Sequence, residues 1–377
     1  VRIAVTTSIL RIPPTYFVVD HAERLAARHE FRVFALAADV RDENVTVGVH
    51  DASPTRVLPF RYRMPLAPLA LPLMARAVRR YHPDLVHQHF ATWCTPAASV
   101  ARALSVPMIT TLHGYDVMLA DRPARSALER WHRHNLSAAT QTSARFLAVS
   151  EFLAATAVHA GFDSRRVHVH YQGVDTEYFA PAAPGPESDA HLDERPVVLF
   201  VGGLSPNKGP HDLIGASRRL TGTVEHQLIL VGTGPLADEL AADTAADKHI
   251  RLLGALDRTQ IREWMRRATV VVLPAQEHRG RREAAGLVLL EAQACGTPVV
   301  AYASGGTPEM MLADCTGLLV PERDARALAS AIGTVLRLEH SEYLRMAYAA
   351  RDFVHTRRSL SLSCVELDEH YAAVADT

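Results

Sequence analysis

Residues 197–234 read "VVLFVGGLSPNKGPHDLIGASRRLTGTVEHQLILVGTG". Two β-rich apolar runs, 197–203 and 227–234, each end in glycines and enclose a helical pattern. Such runs alternating with helices make βαβ units, whose strands lie parallel. The alternation continues downstream, with strands expected at 250–255, 270–275 and 298–303. Upstream it predicts strands at 2–6, 31–36, 84–87, 107–111 and 145–149, with helices such as 17–28, 96–104 and 151–160 between them. The segment 176–196, "TEYFAPAAPGPESDAHLDERP", is rich in Pro, Gly and acid and reads as a linker. The fold class is therefore α/β: two Rossmann-like, doubly wound parallel-sheet domains in tandem, expected to face each other across an interdomain cleft. Chemistry in such sheets belongs in the loops that leave the carboxyl ends of the strands.

Composition narrows the function classes. The 377 residues are 48% apolar and 21% charged with net charge −1, a globular balance that advertises no nucleic-acid partner. Cys94, Cys295, Cys315 and Cys364 show neither close pairing nor metal spacing, which favours a reduced, cytoplasmic compartment. The opening "VRIAVTTSIL" reads as a first strand rather than a leader. The apolar run 64–75, "MPLAPLALPLMA", is too short to span a bilayer and holds three prolines. It lies within 56–80, which carries six arginines and no acid. That stretch reads first as a solvated basic edge of the first domain, and second as a peripheral contact with an anionic membrane. Lysine occurs only at 208 and 248, against 38 arginines, so each lysine draws notice.

Three loops of the second half can hold a phosphate. In "FVGGLSPNKGPHDLI" (200–214) a glycine pair ends a strand and Lys208 supplies a point charge. "GTGPLA" (232–237) resembles a dinucleotide fingerprint, but the next strand ends at Ala255 without the acid that binds ribose, so a plain strand-to-helix turn is favoured over NAD. The third loop opens "RREAAGLVLLEAQACGTPVV" (281–300). A helix starting near Gly286 aims free N–H groups and a positive dipole end outward. Glu283 then precedes the helix and Glu291 lies about one and a half turns inside it. Two carboxylates flanking an anion site suit the hydroxyls of a sugar–diphosphate–nucleoside. The plainer alternative makes Glu283 a cap and Glu291 a surface residue.

Taken in order, "EAAGLVLLEAQACGTPVV", "VGGL…KG", "GTGPL", "LLGAL", "GGTPE" and, in the first half, "DLVHQHFATW", "VPMITTLHGYDV", "FLAVSEF" and "VHVHYQGVDTEYF" resemble the retaining glycosyltransferases of family 4. The resemblance covers most of the chain. It implies the GT-B architecture: an acceptor-binding domain over 1–175, a linker at 176–196, a nucleotide-sugar domain over 197–350, and a C-terminal helix, about 351–377, packed back on the first domain. It implies a hexosyltransferase that needs no cofactor or metal and moves a sugar, UDP-linked by expectation, onto a hydroxyl acceptor. Glu283 would bind donor-sugar hydroxyls and His113 of "HGYD" would sit beside the reacting carbon. The donor would be held by Gly202, Gly203 and Lys208, by Gly234 and Leu256, and by Gly286, Leu287, Val288 and Glu291. Thr15, His89, Tyr115 and Asp116 fall on the acceptor side, although Asp116, at the start of a helix, reads at least equally as a cap.

Two positions depart from the family pattern. Gly203 stands where an arginine is usual, and Arg279, Arg281 and Arg282 are candidates to compensate. The first loop, "SILRIPPTYF" (8–17), lacks the usual glycine pair. Rival readings are an epimerase or phosphorylase on the same fold, or a catalytically silent nucleotide-binding subunit. His87 and His89 share one face of a strand, yet no third and fourth metal ligand accompanies them.

Overall fold

A computed structural model of the chain describes residues 1–118, 124, 126–182 and 195–375. The chain divides into two compact units, Val1–Gln172 with Leu360–Thr377, and Gly173–Ser359. Each is a parallel sheet wrapped by helices.

The first unit has seven strands: β1 Arg2–Ile12, β2 Glu30–Val40, β3 Gly48–Asp51, β4 Leu85–His89, β5 Met108–Leu112, β6 Arg145–Ala148 and β7 Val167–Val169. Their order is β3-β2-β1-β4-β5-β6-β7, so the winding reverses between β1 and β4. Successive side chains of β1 serve opposite faces. Ile3 and Val5 join a core completed by Leu360, Leu367, Tyr371 and Val374 of the helix Leu360–Ala375. Ala4 joins Phe34, Leu36, Met74 and Val78 on the other face. A sheet buried on both faces reads as continuous apolar runs.

The second unit has six strands: β8 Val197–Val201, β9 Gln227–Val231, β10 Ile250–Gly254, β11 Val270–Leu273, β12 Val299–Tyr302 and β13 Gly317–Val320. Their order is β10-β9-β8-β11-β12-β13, and the winding reverses between β8 and β11. The sheet centre is dry: Leu199, Leu230, Val271 and Val300 are at most 1% exposed.

Several elements differ from the sequence expectation. β1 and β2 run for eleven residues each, because Ile9–Ile12 continue to pair with Ala37–Val40. β3, β7 and β13 are short strands that apolar runs did not mark. The helix expected over 17–28 is a 3₁₀ turn, Tyr16–Val18, followed by the helix Asp20–Leu25. Residues 176–182 pack within the second unit: Phe179 is buried, and Arg351 donates to the carbonyls of Thr176, Phe179 and Ala294. Residues 183–194 of the expected linker lie outside the described residues. The segment after 340 forms two helices, His340–Arg357 in the second unit and Leu360–Ala375 in the first.

The first unit buries an unusual set of neutral histidines. His21 bonds the Ser363 hydroxyl at 2.8 Å, and burial reinforced by His170 pushes its pKa down to about 3. Burial likewise lowers His170 and His87. All lie below the ordinary 6.5, so the stability they carry is complete above pH 6.5 and is lost as pH falls below it. Each contributes about 1.4 kcal/mol per pH unit in that range. Urea unfolding should therefore give a level stability from pH 8 to pH 7 and a fall from about pH 6 downward steeper than one histidine supplies. A profile level down to pH 5 would contradict neutral burial.

Candidate active site

In each unit the predicted site residues lie beyond the carboxyl ends of the strands, and part of the set flanks the point where the strand order reverses. In the second unit the loop after β8 carries Gly202, Gly203 and Lys208, and the loop after β11 carries Glu283. The Lys208 ammonium pairs directly with Oε2 of Glu283, the two side chains being 25% and 14% exposed. The pair holds a cation and a carboxylate at one spot, each keeping the other from standing alone in a partly dry setting.

The backbone explains why these loops meet. The loop after β11 returns to the loop after β8 through Gln276 N–H, which donates to the Asn207 carbonyl at 2.9 Å. Glu283 is gripped from the next loop, since its carbonyl accepts from Gly306 N–H at 2.9 Å and lies 2.1 Å from where a Cβ on Gly305 would stand. Only glycine permits that approach. Gly286, at φ 94°, then starts the helix Leu287–Ala294. Leu287 and Val288 occupy its first two positions, where amides have no helical partner and the dipole favours an anion. Glu291 is half-buried farther along the same helix.

Gly234 has a packing role. A Cβ there would lie 2.3 Å from the Leu204 carbonyl, which also accepts from Leu236 N–H at 3.0 Å. The Gly-Thr-Gly turn thus closes the loop after β9 onto the loop after β8. Gly203 is exposed and unconstrained, the nearest atoms to a Cβ there being 3.9 Å away. Its backbone does not require glycine, so the space an arginine would fill is open. Arg279, Arg281 and Arg282 lie exposed in the tight turn before Glu283, where His278 and Arg281 form an antiparallel bridge. Leu256 precedes the helix Arg258–Arg267, whose capping box is built on Asp257 and Gln260. It lines a hollow of about 220 Å³ with Thr259, Gln260 and Trp264.

In the first unit His113 follows β5. Its ring lies 4.2 Å from Phe90 and 4.7 Å from Phe17, and its Nε2 is 3.0 Å from Nδ1 of His89 at the end of β4. Burial pushes its pKa down to about 3. Phe17 and Phe90 were not singled out in the sequence, because an aromatic residue flanking a strand end carries no spacing signal. Asp116 is fully buried and accepts N–H bonds from Ala91, His113, Gly114 and Val117. Burial still raises its pKa against those four bonds. Its carboxylate is spent on joining the loops after β4 and β5. Tyr115 meets the edge of His132 at 5.8 Å, and Thr15 is half-buried at the start of the turn carrying Phe17. His87 is bound at both ring nitrogens, by Tyr371 and Thr111, each at 2.7 Å. Among the described residues no group of three or more His, Cys, Asp or Glu could hold a metal ion.

Comparisons with known proteins meet this geometry on both units. The profile described as Glycosyltransferase Family 4 matches residues 15–178, and that described as Glycosyl transferases group 1 matches residues 186–353. A GDP-mannose-dependent alpha-mannosyltransferase of Mycolicibacterium smegmatis is 31% identical over 98% of this chain and 93% of its own length. The chain belongs to glycosyltransferase family 4. A D-inositol 3-phosphate glycosyltransferase of Frankia alni is 31% identical over 68% of this chain, and the match spans 66% of that relative, just under two thirds. Anabaena HepE, solved in complex with UDP, superposes with a TM-score of 0.78 over 99% of this family 4 chain and 100% of its own, at 22% identity. That likeness shows the shared GT-B fold.

The two glycines flanking the loop after β8 separate packing from binding. Gly234→Ala should cost about 1–3 kcal/mol in urea unfolding, since backbone must shift to admit the methyl. Gly203→Ala should stay within about 0.5 kcal/mol of the parent. Equal effects would refute the contrast.

Proposed function

We propose that this family 4 glycosyltransferase moves a hexose from a nucleotide sugar to a hydroxyl acceptor with retention of anomeric configuration. The observation that carries the reading is the Lys208–Glu283 pair beside the open N-terminus of the helix Leu287–Ala294. A diphosphate needs cationic and N–H partners, and a sugar needs a carboxylate that accepts from its hydroxyls. Both stand together here.

In this reading the second unit holds the donor. Lys208 and the amides of Leu287 and Val288 meet the diphosphate, Glu283 meets the sugar hydroxyls and Glu291 those of the ribose. Gly202, Gly203 and Gly234 shape the loops around it, and backbone near Leu256 meets the base. The first unit takes the acceptor, with His113 assigned to the sugar end of the donor and Thr15, His89 and Tyr115 to the acceptor side. The bond between the anomeric carbon and the phosphate oxygen breaks as the acceptor oxygen bonds that carbon on the same face. The acceptor proton passes to the departing phosphate oxygen. The demand on the protein is to stabilise charge on the leaving diphosphate, which preorganised N–H groups and a lysine do without reorganising. No protein base and no metal ion enters that scheme. UDP is the favoured nucleotide, in line with the UDP held by Anabaena HepE, while the GDP-mannose of the Mycolicibacterium relative makes guanine the first competitor. Four cysteines without a disulfide fit a cytoplasmic location, where nucleotide sugars are made.

A thermal-shift panel of UDP, GDP, ADP, dTDP and NAD without metal tests the donor class. A ligand at about 100 times its dissociation constant adds roughly 2.7 kcal/mol, so one nucleoside diphosphate should raise the melting temperature and NAD should not. Glu283→Gln should abolish transfer in a folded protein, and near-normal turnover in that variant would remove Glu283 from its role.

A second reading concerns the basic stretch 56–80. Tyr62, Leu69 and Leu73 are 52%, 59% and 44% exposed beside the exposed Arg61, Arg76, Arg79 and Arg80. Arg63 is instead buried against Asp51. No helix among the described residues is long and apolar enough to cross a membrane. Apolar side chains among arginines suit a peripheral contact with anionic lipid, worth about 1 kcal/mol per cation near the surface. Vesicles rich in phosphatidylserine should carry the protein at low salt and release it at high salt. Failure to bind at low salt ends this reading.

A further inference from the structure

The carboxyl edge of the first sheet places two imidazoles in hydrogen-bond contact. Nδ1 of His89 and Nε2 of His113 are 3.0 Å apart, and the rings lie 24° from parallel. Behind them His87 stacks on His89 at 4.6 Å and is itself fixed at both nitrogens by Tyr371 and Thr111. In front, Phe17 and Phe90 confine the His113 ring.

Two neutral imidazoles that share one hydrogen bond must adopt complementary tautomers, one giving the proton and the other the lone pair. A positive charge on either ring is opposed by burial and by the histidines facing the pair, His87, His21 and His170. The pair therefore holds two protons, one inside the hydrogen bond and one on an outward nitrogen. An outward N–H without a partner costs more on the more buried ring. His89 is 5% exposed, whereas His113 is half-buried. The outward proton thus belongs to His113, on Nδ1. Neither that nitrogen nor Nε2 of His89 has a protein partner among the described residues, so the exposure of the two rings decides between them.

We propose that His89 is a positioning residue: its Nδ1–H donates to Nε2 of His113, fixing the ring and the tautomer so that His113 presents Nδ1–H to an oxygen of the bound sugar. The role of His113 rests on the function proposed above, whereas the tautomer does not. His89 then acts through His113 and need not touch the acceptor.

The experiment is long-range ¹H–¹⁵N correlation on the full chain labelled at histidine, with His113 assigned through His113→Phe. The parent should show His113 protonated at Nδ1. His89→Leu should leave a mixture of tautomers in a protein with unchanged far-UV circular dichroism. His89→Asn, whose amide can occupy the place of Nδ1, should restore the single form. In parallel, release of nucleotide into water is followed from UDP-glucose and GDP-mannose. His89→Leu should lower kcat roughly tenfold or more with little change in KM, and His89→Asn should recover most of it. Nε2–H on His113 in the parent, or a tautomer indifferent to His89→Leu, overturns the proposal. So does a loss confined to KM. If the parent hydrolyses neither sugar nucleotide and binds no nucleoside diphosphate, the transferase reading fails while the spectra still decide the pair.

Discussion

Two carbonyl oxygens occupy the space of absent side chains, and the second unit's site depends on them. The Leu204 carbonyl sits against Gly234 and the Glu283 carbonyl against Gly305. The first contact joins the loops after β8 and β9, and the second joins those after β11 and β12. With the loops closed onto one another in this way, Lys208 and Glu283 reach the same spot and the helix from Gly286 opens beside it. A methyl group at either glycine must push backbone, not a flexible side chain.

Much of this was legible in the sequence, for identifiable reasons. Parallel strands buried on both faces must be apolar throughout, so β8, β9 and β11 stand out as runs of Val, Leu and Ile. β3, β7 and β13 did not, since short strands at or near a sheet edge need little apolar length. Glu283, Lys208 and Gly286 could be read from a charge or glycine set in an apolar frame. Their pairing could not, because 75 residues separate Lys208 from Glu283 and only the strand order brings them together. Asp116 shows the opposite limit. As a carboxylate at the start of a helix it reads equally as a ligand group or as a cap, and only the structure shows that four amides claim it.

The two units solve the same electrostatic problem in different ways. The second places opposite charges together and leaves them partly solvated. The first keeps the histidines at its strand ends neutral, by burial and by one another. The Lys208–Glu283 pair suits a site that must respond to a charged ligand, and the histidine array suits one whose hydrogen-bonding pattern stays constant.

The last helix, Leu360–Ala375, gives the first unit a peculiar assembly order. Leu360, Leu367, Tyr371 and Val374 complete a core begun by Ile3 and Val5, and Ser363 holds His21. A growing chain leaving the ribosome makes the whole second unit before it makes these residues. Until then one face of the first sheet is covered only in part, by residues such as Val18, Val19 and Leu25, and His87 lacks the Tyr371 hydroxyl that fixes it. The nascent first unit, finished as far as Gln172, must therefore wait, partly built and with greasy surface showing, for residues that begin at Leu360.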